Sequence, residues 1–533
     1  MRVSQSAAIL APLLASGLLV AACQKGQVPP ELPKIDAPAD VIVTVSLGHP
    51  AAFATRLGRY VDQVAPGTGA QLNGRALADG MAKMIGATSL DGLDLDQPVR
   101  LIVFNPKTHG EHPIILLGSF PDADKLRRGV GSLKVERSQD GHTLVGADAE
   151  VAAARAWAFG PLAAAQAPDA PTAEIWMDRV LAAFQTDLEG AVKNMGALGM
   201  GGTVQAVLAG EIKILVAASE QSERMTMSFD TTGDEASFDL ALVPRAGTPL
   251  GRFIAAQKPF DPKLIAALPG ADTGAMVMVG HAEVGELGEP MYQLIGPFLA
   301  EVAARPFDDA FHKVWIDWLA HFTGDFAAVS GLEPTGGTAM SEIIGVDDGP
   351  AAQKAVLALF GKAGEERKAT FMGIGMTFTA TPGAAKHGAA SIDTFTMKFD
   401  TQSMPEMQRT MMDRMYPGGM SMAMAGSGKT LAVTLGSKAV ERIGQLVDGG
   451  GKGAVSPYAQ QVLDAAGKRK DSCVAVMNMA ALMNPLAPAT PAQSGLAMTF
   501  GFADKNAHLR LSLPAKHIAE ITGAIKNSGQ APH

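Results

Sequence analysis

Cysteine is nearly missing from this chain of 533 residues, which holds only Cys23 and Cys473. No disulfide framework staples the fold, so stability has to come from large apolar cores. Cys473 lies in Asp471-Ser-Cys-Val-Ala-Val-Met477, an apolar run that reads as a buried strand, where a thiol acts as a small hydrophobe. Aromatic residues are scarce at 5%, with four Trp and four Tyr, and charged residues reach only 18%. With 47% hydrophobic residues, that composition describes a well-buried globular protein rather than a disordered one. Basic runs are missing too, and the formal net charge is −9. An acidic chain without a cationic stripe is a poor ligand for nucleic acid and gains nothing from anionic lipid surfaces.

Reactive signatures are equally thin. No His-x-x-x-His pairs with an acid, no twelve-residue calcium loop is present, and there is no Gly-x-Ser-x-Gly elbow. Nothing nominates a nucleophile with its base, so no reaction, cofactor or metal is expected. The residues that could mislead can each be weighed. Ala423-Met-Ala-Gly-Ser-Gly428-Lys429-Thr430 ends like a phosphate-binding loop, but Ala423 stands where glycine is required. The alternating segment Leu431–Gly436 then follows where a helix should open. Gly426-Ser-Gly428 therefore reads as a hairpin turn, and no nucleotide is expected. His109 and His112 share one turn, and His49 and His281 each follow a strand. His312 and His321 flank Trp315 and Trp318 in a segment that reads as an amphipathic helix. The acidic run Asp91–Pro98 reads as a turn feeding a strand at Val99.

The first two dozen residues decide where the chain goes. Arg2 gives a positive start, Ala7–Ala22 is apolar and uncharged, and two small residues precede Cys23. That is the layout of a secretory signal, too short to be kept as a membrane span, and no second run approaches spanning length. Val20-Ala-Ala-Cys23 resembles the lipobox of bacterial lipoproteins. The resemblance implies that residues 1–22 are a signal peptide cut before Cys23. It also implies a diacylglycerol on the Cys23 thiol and an acyl chain, such as palmitate, on the new amine. Gln24, rather than aspartate, resembles the pattern of lipoproteins sent to the outer membrane. The body would then face the periplasm, with the outer surface as the alternative. Residues 23–40 hold the lipidated cysteine and a proline-rich tether that lifts the body off the membrane.

The body repeats itself. Two copies of a long module, 38–257 and 258–526, match in element order, followed by a tail at 527–533. Val41–Leu47 then Gly48-His49 matches Ala275–Val279 then Gly280-His281. The hairpin Val99–Phe104 with Ile114–Gly118 matches Asp325–Val329 with Glu342–Gly345. Gly141–Val145 matches Gly428–Val433, and Glu174–Met177 matches Cys473–Val476. Met225–Phe229 with Phe238–Pro244 matches Met498–Phe502 with Leu509–Pro514. Copy two adds a hairpin, Thr370–Thr381 with Ser391–Asp400, and a methionine-rich helix. Alternating hairpin strands followed by helices predict an α+β fold: two tandem duplicated domains, each a largely antiparallel sheet with helices packed on one face. The body also resembles, diffusely, uncharacterised tandem-repeat envelope lipoproteins, a resemblance that transfers no site residue.

Methionine, at 27 residues, clusters in copy two. Met404, Met407, Met411 and Met415 share a helical face, and Met420, Met422 and Met424 share a strand face. Most such methionines fill a core, although soft thioethers could also form an adaptable apolar surface or bind Cu(I). The sequence thus reads as a membrane-anchored, non-enzymatic binding or scaffold module whose partner is an envelope protein or a lipid. A periplasmic carrier of lipid or another apolar ligand is the alternative, and an enzyme whose site shows no motif is a more distant one.

Overall fold

The computed structural model describes residues 36–528, apart from 196–215 and shorter stretches that include 286–287, 297–306, 403–405 and 484–492. The first half contributes β1 (Val41–Leu47), β2 (Val99–Phe104), β3 (Ile114–Ser119), β4 (Lys134–Arg137), β5 (His142–Gly146), β6 (Thr172–Trp176), β7 (Ser222–Thr232) and β8 (Glu235–Pro244). Further along come β9 (Met276–His281), β10 (Phe322–Leu332), β11 (Thr338–Val346), β12 (Glu366–Phe371), β13 (Ile374–His387), β14 (Ala390–Asp400), β15 (Met420–Ser427) and β16 (Thr430–Leu435). The last three are β17 (Asp471–Met477), β18 (Leu496–Gly501) and β19 (Ala507–Pro514). The helices used below are α1 (Pro50–Val64), α2 (Gly74–Ile85), α3 (Ala123–Val130), α4 (Asp148–Trp157), α5 (Met177–Met195) and α6 (Pro249–Ala256). In the second half they are α7 (Asp309–Leu319), α8 (Gly349–Phe360), α9 (Ala439–Val447), α10 (Pro457–Arg469), α11 (Met479–Met483) and α12 (Ala515–Ser528).

All 19 described strands belong to one sheet. Every pairing is antiparallel, and from edge to edge the order is β4-β5-β3-β2-β1-β6-β7-β8-β19-β18-β17-β9-β10-β11-β16-β15-β14-β13-β12. The α+β class and the antiparallel pairing agree with the sequence. Separate sheets do not. The final hairpins β7–β8 and β18–β19 present their outer strands to each other and pair from Ala507↔Leu242 to Pro514↔Glu235. At this seam the Arg510 guanidinium grips Asp239 through two hydrogen bonds of 2.6 and 3.1 Å.

Outward from the seam the two flanks have the same succession. One reads β8, β7, β6, β1, β2, β3, β5, β4, and the other β19, β18, β17, β9, β10, β11, β16, β15. Among the described residues, the second flank alone continues, into β14, β13 and β12. That extension contains the additional hairpin expected in copy two.

Both faces of the flanks are covered, not one. In the first flank, Leu101, Leu116 and Val145 pack under Met81 and Ile85 of α2 and Leu126 and Val130 of α3. The alternate residues Ile102, Ile115, Leu117 and Leu144 pack under Val151, Ala154 and Trp157 of α4. This is why β2 reads as a nearly unbroken apolar run. The second flank repeats the arrangement. Met424, Leu431 and Val433 meet Ala352, Val356 and Phe360 of α8. On the reverse side, Val277, Val279, Ala327 and Ile343 meet Ile443 of α9 and Leu463 of α10. Helix starts obey local chemistry. The Asp348 side chain, just before α8, accepts from the Ala351 N–H at 3.0 Å, and Asp122 caps α3 through the N–H groups of Asp124 and Lys125.

Candidate functional site

Cys23 and four methionines of the expected apolar surface, Met404, Met407, Met411 and Met415, lie outside the described residues. Met420, Met422 and Met424 do share a strand face on β15, as the alternation predicts. Met424 is fully buried and Met422 packs beside it against Phe395 and Leu431, so these two fill a core instead of lining a surface.

The segment Gly426-Ser-Gly428-Lys429-Thr430 is a hairpin turn. Ser427 pairs with Thr430, and Gly428 takes φ +54°, the glycine position of a type II′ turn. The carbonyls of Gly428 and Lys429 accept from the N–H groups of Gly349 and Val346 at 2.7 and 3.0 Å. Packing explains the other glycine. A Cβ on Gly426 would stand 2.0 Å from the Gly349 carbonyl oxygen, because the start of α8 rests directly on this strand end.

The histidines are mostly held by carboxylates. His109 packs at a tilt on Phe104 and spans Glu150 at 2.9 Å and Asp40 at 3.3 Å, which fixes its turn to the body; His112 lies outside the described residues. His281 is buried and meets Asp325 at 2.8 Å. His49, at the matching place after β1, is exposed and meets the Asp96 carbonyl instead. His312 pairs with Glu289 and His321 with Asp347. These contacts fasten helices and turns. Among the described residues, no group of three metal-ligating side chains is arranged to hold an ion.

One buried constellation escaped the sequence reading because its members are spread over residues 494–520 without a motif. His517 on α12 is fully buried, and its Nδ1 lies 3.1 Å from Ser494 Oγ and 3.3 Å from a Glu520 carboxylate oxygen. Ser494 Oγ donates to that same carboxylate. His517 Nε2 accepts from the Met479 N–H at 3.2 Å, at the start of α11. A general base for serine needs a free acceptor nitrogen facing the hydroxyl. Here the acceptor is spent on the backbone and the serine proton points to glutamate, so the triad locks α11, α12 and the strand entry together. It does not activate Ser494.

Cys473 is no better a nucleophile. Burial pushes its thiol up to about 12, so it stays protonated near neutrality. Glu342, on β11, is a further electrostatic anomaly: burial raises its carboxyl to about 7.

Two clefts stand out among the described residues. One, of about 380 Å³, is lined by Asp36, Trp157, Leu162, Glu174, Arg179 and Arg224. Arg179 sits one turn into α5, stacks on Trp176, and donates from Nη1 to the carbonyls of Pro38 and Val41 at 2.7 Å each. It thus clamps the chain where the expected tether becomes β1. A second cleft, of about 410 Å³, lies beside β4 and α3 and is lined by Arg127, Val130, Leu133, Lys134, Val135 and Asp148. Comparison of the chain with protein-family models, with curated proteins and with solved structures gives no match.

Proposed function

We propose that this chain is a lipid-anchored envelope protein whose body serves as a non-enzymatic binding or scaffold module. The observation that carries the reading is the Val20-Ala-Ala-Cys23 lipobox followed by a tether that leads to the Arg179 clamp. Load on the anchor would pass through Pro38 and Val41 into β1, which is flanked on both sides by β2 and β6. A strand hydrogen-bonded on both edges resists being peeled away, as a mounting point should. The attached membrane would be the outer one, with the body facing the periplasm, given Gln24. The matched strand succession of the two flanks supports tandem duplication of one ancestral module, whose copies then fused into a single sheet. Both clefts are lined by charged side chains, which supports a polar binding surface over an apolar carrier.

The test is metabolic labelling with an alkyne analogue of palmitate, combined with membrane fractionation in a Gram-negative host. The native chain should carry label and sediment with membranes. Cys23→Ala should abolish the label and move the body to the soluble periplasmic fraction. A soluble, unlabelled native chain would refute the anchor.

A further inference from the structure

The described part of the chain begins at a cleft. Asp36 and Ala37 form part of the wall of the 380 Å³ cleft, and Ala37 packs against the cluster that holds Trp157 and Trp176. Two of the four tryptophans of the chain meet here, edge to face at 6.3 Å. After α4 the backbone makes one π turn, Ala158–Leu162, kinked at Gly160, which sets Pro161 and Leu162 into the same wall. Trp157, Leu162 and Trp176 are at most 9% exposed, whereas the Arg224 side chain is 50% exposed. The floor is therefore aromatic and apolar, and the charges stand on the rim.

That rim has no charge to spare. Arg224 is paired with Glu174 and lies over the Trp176 ring. Arg179, over the same ring, is spent on backbone: it donates to the carbonyls of Pro38 and Val41 and, at 3.4 Å, to that of Ala37. With Asp36 and Glu174 against Arg179 and Arg224, the lining charges cancel, so nothing selects a charged ligand. What the cleft already grips is main chain, at the point where the tether enters.

The residues before Asp36 match this character. Residues 28–35 read Val-Pro-Pro-Glu-Leu-Pro-Lys-Ile, and Pro30-Glu-Leu-Pro33 has the PxxP spacing of segments that dock on aromatic-lined grooves as polyproline II. Their two charges, Glu31 and Lys34, also cancel. Each proline has its φ fixed in advance, which lowers the entropy cost of docking. Pro33 stands three residues before Asp36, within about 10 Å of chain. A segment joined so closely to its site has an effective concentration on the order of millimolar, so a weak intrinsic affinity is enough to fill it.

We infer that the Trp157–Trp176 cleft is the dock of the chain's own tether, with Leu32 and the prolines of residues 28–35 laid on the tryptophan floor. The tether is then a strap of two lengths. Docked, it leaves residues 24–27 between Cys23 and the body, about 14 Å when extended; released, residues 24–35 span about 40 Å. The docking itself does not need lipid on Cys23, while its effect on reach rests on the anchor reading.

The experiment uses the full chain in detergent, with p-benzoylphenylalanine in place of Leu32. After photolysis, cross-links mapped by mass spectrometry should fall within one chain, on residues 157–165 and 174–179. A second chain with Pro29→Ser, Pro30→Ser, Leu32→Ser and Pro33→Ser alters the tether alone. Its amide exchange at residues 157–165 should be at least threefold faster than in the native chain. It should also bind a fluorescent peptide of residues 28–35 at least tenfold more tightly, because its cleft is not filled in cis. Cross-links elsewhere, unchanged exchange, or no preference of the peptide for the variant would overturn the proposal; equal binding by both chains would assign the cleft to a proline-rich partner. Cross-links between differently isotope-labelled chains would overturn it too, since the occupant would be the tether of a second copy. Cys23→Ala should leave the cross-links unchanged, so failure of the anchor and failure of the dock are separate results.

Discussion

Replacing Glu342 with glutamine should make the protein more stable at alkaline pH. Glu342 lies on β11 opposite Ala328 of β10 and Val433 of β16, with Met340 and Ile344 on the same face of its own strand. Each of these neighbours is apolar, and none can share the charge of a carboxylate. Burial therefore raises the carboxyl from 4.5 to about 7. With the folded value above the unfolded one, the native state binds the extra proton between those limits. Stability contributed by the neutral acid is then fully present below pH 4.5 and is lost as pH rises through 7. The interval corresponds to about 3 kcal/mol, trimmed to about 2–3 kcal/mol because water reaches part of the side chain. Glu342→Gln keeps the shape and removes the titration. Urea unfolding at pH 4 and pH 8 reads the effect as a difference in midpoint. The native chain should lose midpoint between the two conditions relative to the variant, and the variant should be the more stable protein at pH 8. Parallel pH profiles, or a variant less stable at pH 8, would refute the reasoning, since the carboxylate would then have a partner that stabilises its charge.

Two further substitutions probe the seam and the buried serine. Arg510→Leu removes the bidentate grip on Asp239, and because Arg510 is itself 41% exposed the cost should be only about 1 kcal/mol. Hydrogen exchange should locate that loss in β8 and β19; loss confined to the outer flanks would show that the pair does not hold the seam. Ser494→Ala should lower the thermal midpoint by the equivalent of about 1–2 kcal/mol, since it strips a buried donor from Glu520. It should leave any esterase background measured with a p-nitrophenyl ester unchanged, and a selective loss of ester cleavage would restore the enzyme reading.

How much of this was legible follows from which forces are local. Antiparallel hairpins and the turn at Gly428 are written in alternation and glycine within a few residues, so the sequence announces them. The matched order of elements was readable for the same reason. Pairing between β8 and β19 was not, because residues 239 and 510 meet only after two hairpins are complete, and nothing local marks an outer strand as one that will be paired. One-faced coverage was expected from alternating strands such as Met225–Phe229, but β2 and β3 carry apolar residues on both faces, and Val99–Phe104 could have signalled the second helix layer. The Ser494, His517 and Glu520 contacts were hidden differently: three common residue types at no diagnostic spacing acquire meaning only through burial. Gly426 shows the converse. Its glycine looked like part of a phosphate loop, while its cause is the Gly349 backbone pressed against it from a distant helix.

The same forces decide which edges of the sheet stay open. A free-standing module with the order β8 to β4 would expose two edges, each a row of unpaired backbone groups. Antiparallel pairing of β8 with β19 removes one edge from each flank at once, and it works because the two strands run in opposite directions with matched alternation, Leu240 opposite Leu509 and Phe238 opposite Leu511. Two outer edges then remain. On the second flank the chain solves the problem with its own residues, since β14 covers β15 and the new edge, β12, is the charged segment Glu-Arg-Lys-Ala-Thr-Phe. On the first flank the edge is only four residues, Lys-Val-Glu-Arg, and no described strand covers it. Both solutions deter random aggregation. The two ends of the sheet are therefore unequal: among the described residues the second flank buries β15 under β14, β13 and β12, while the first ends on a four-residue strand rich in charge.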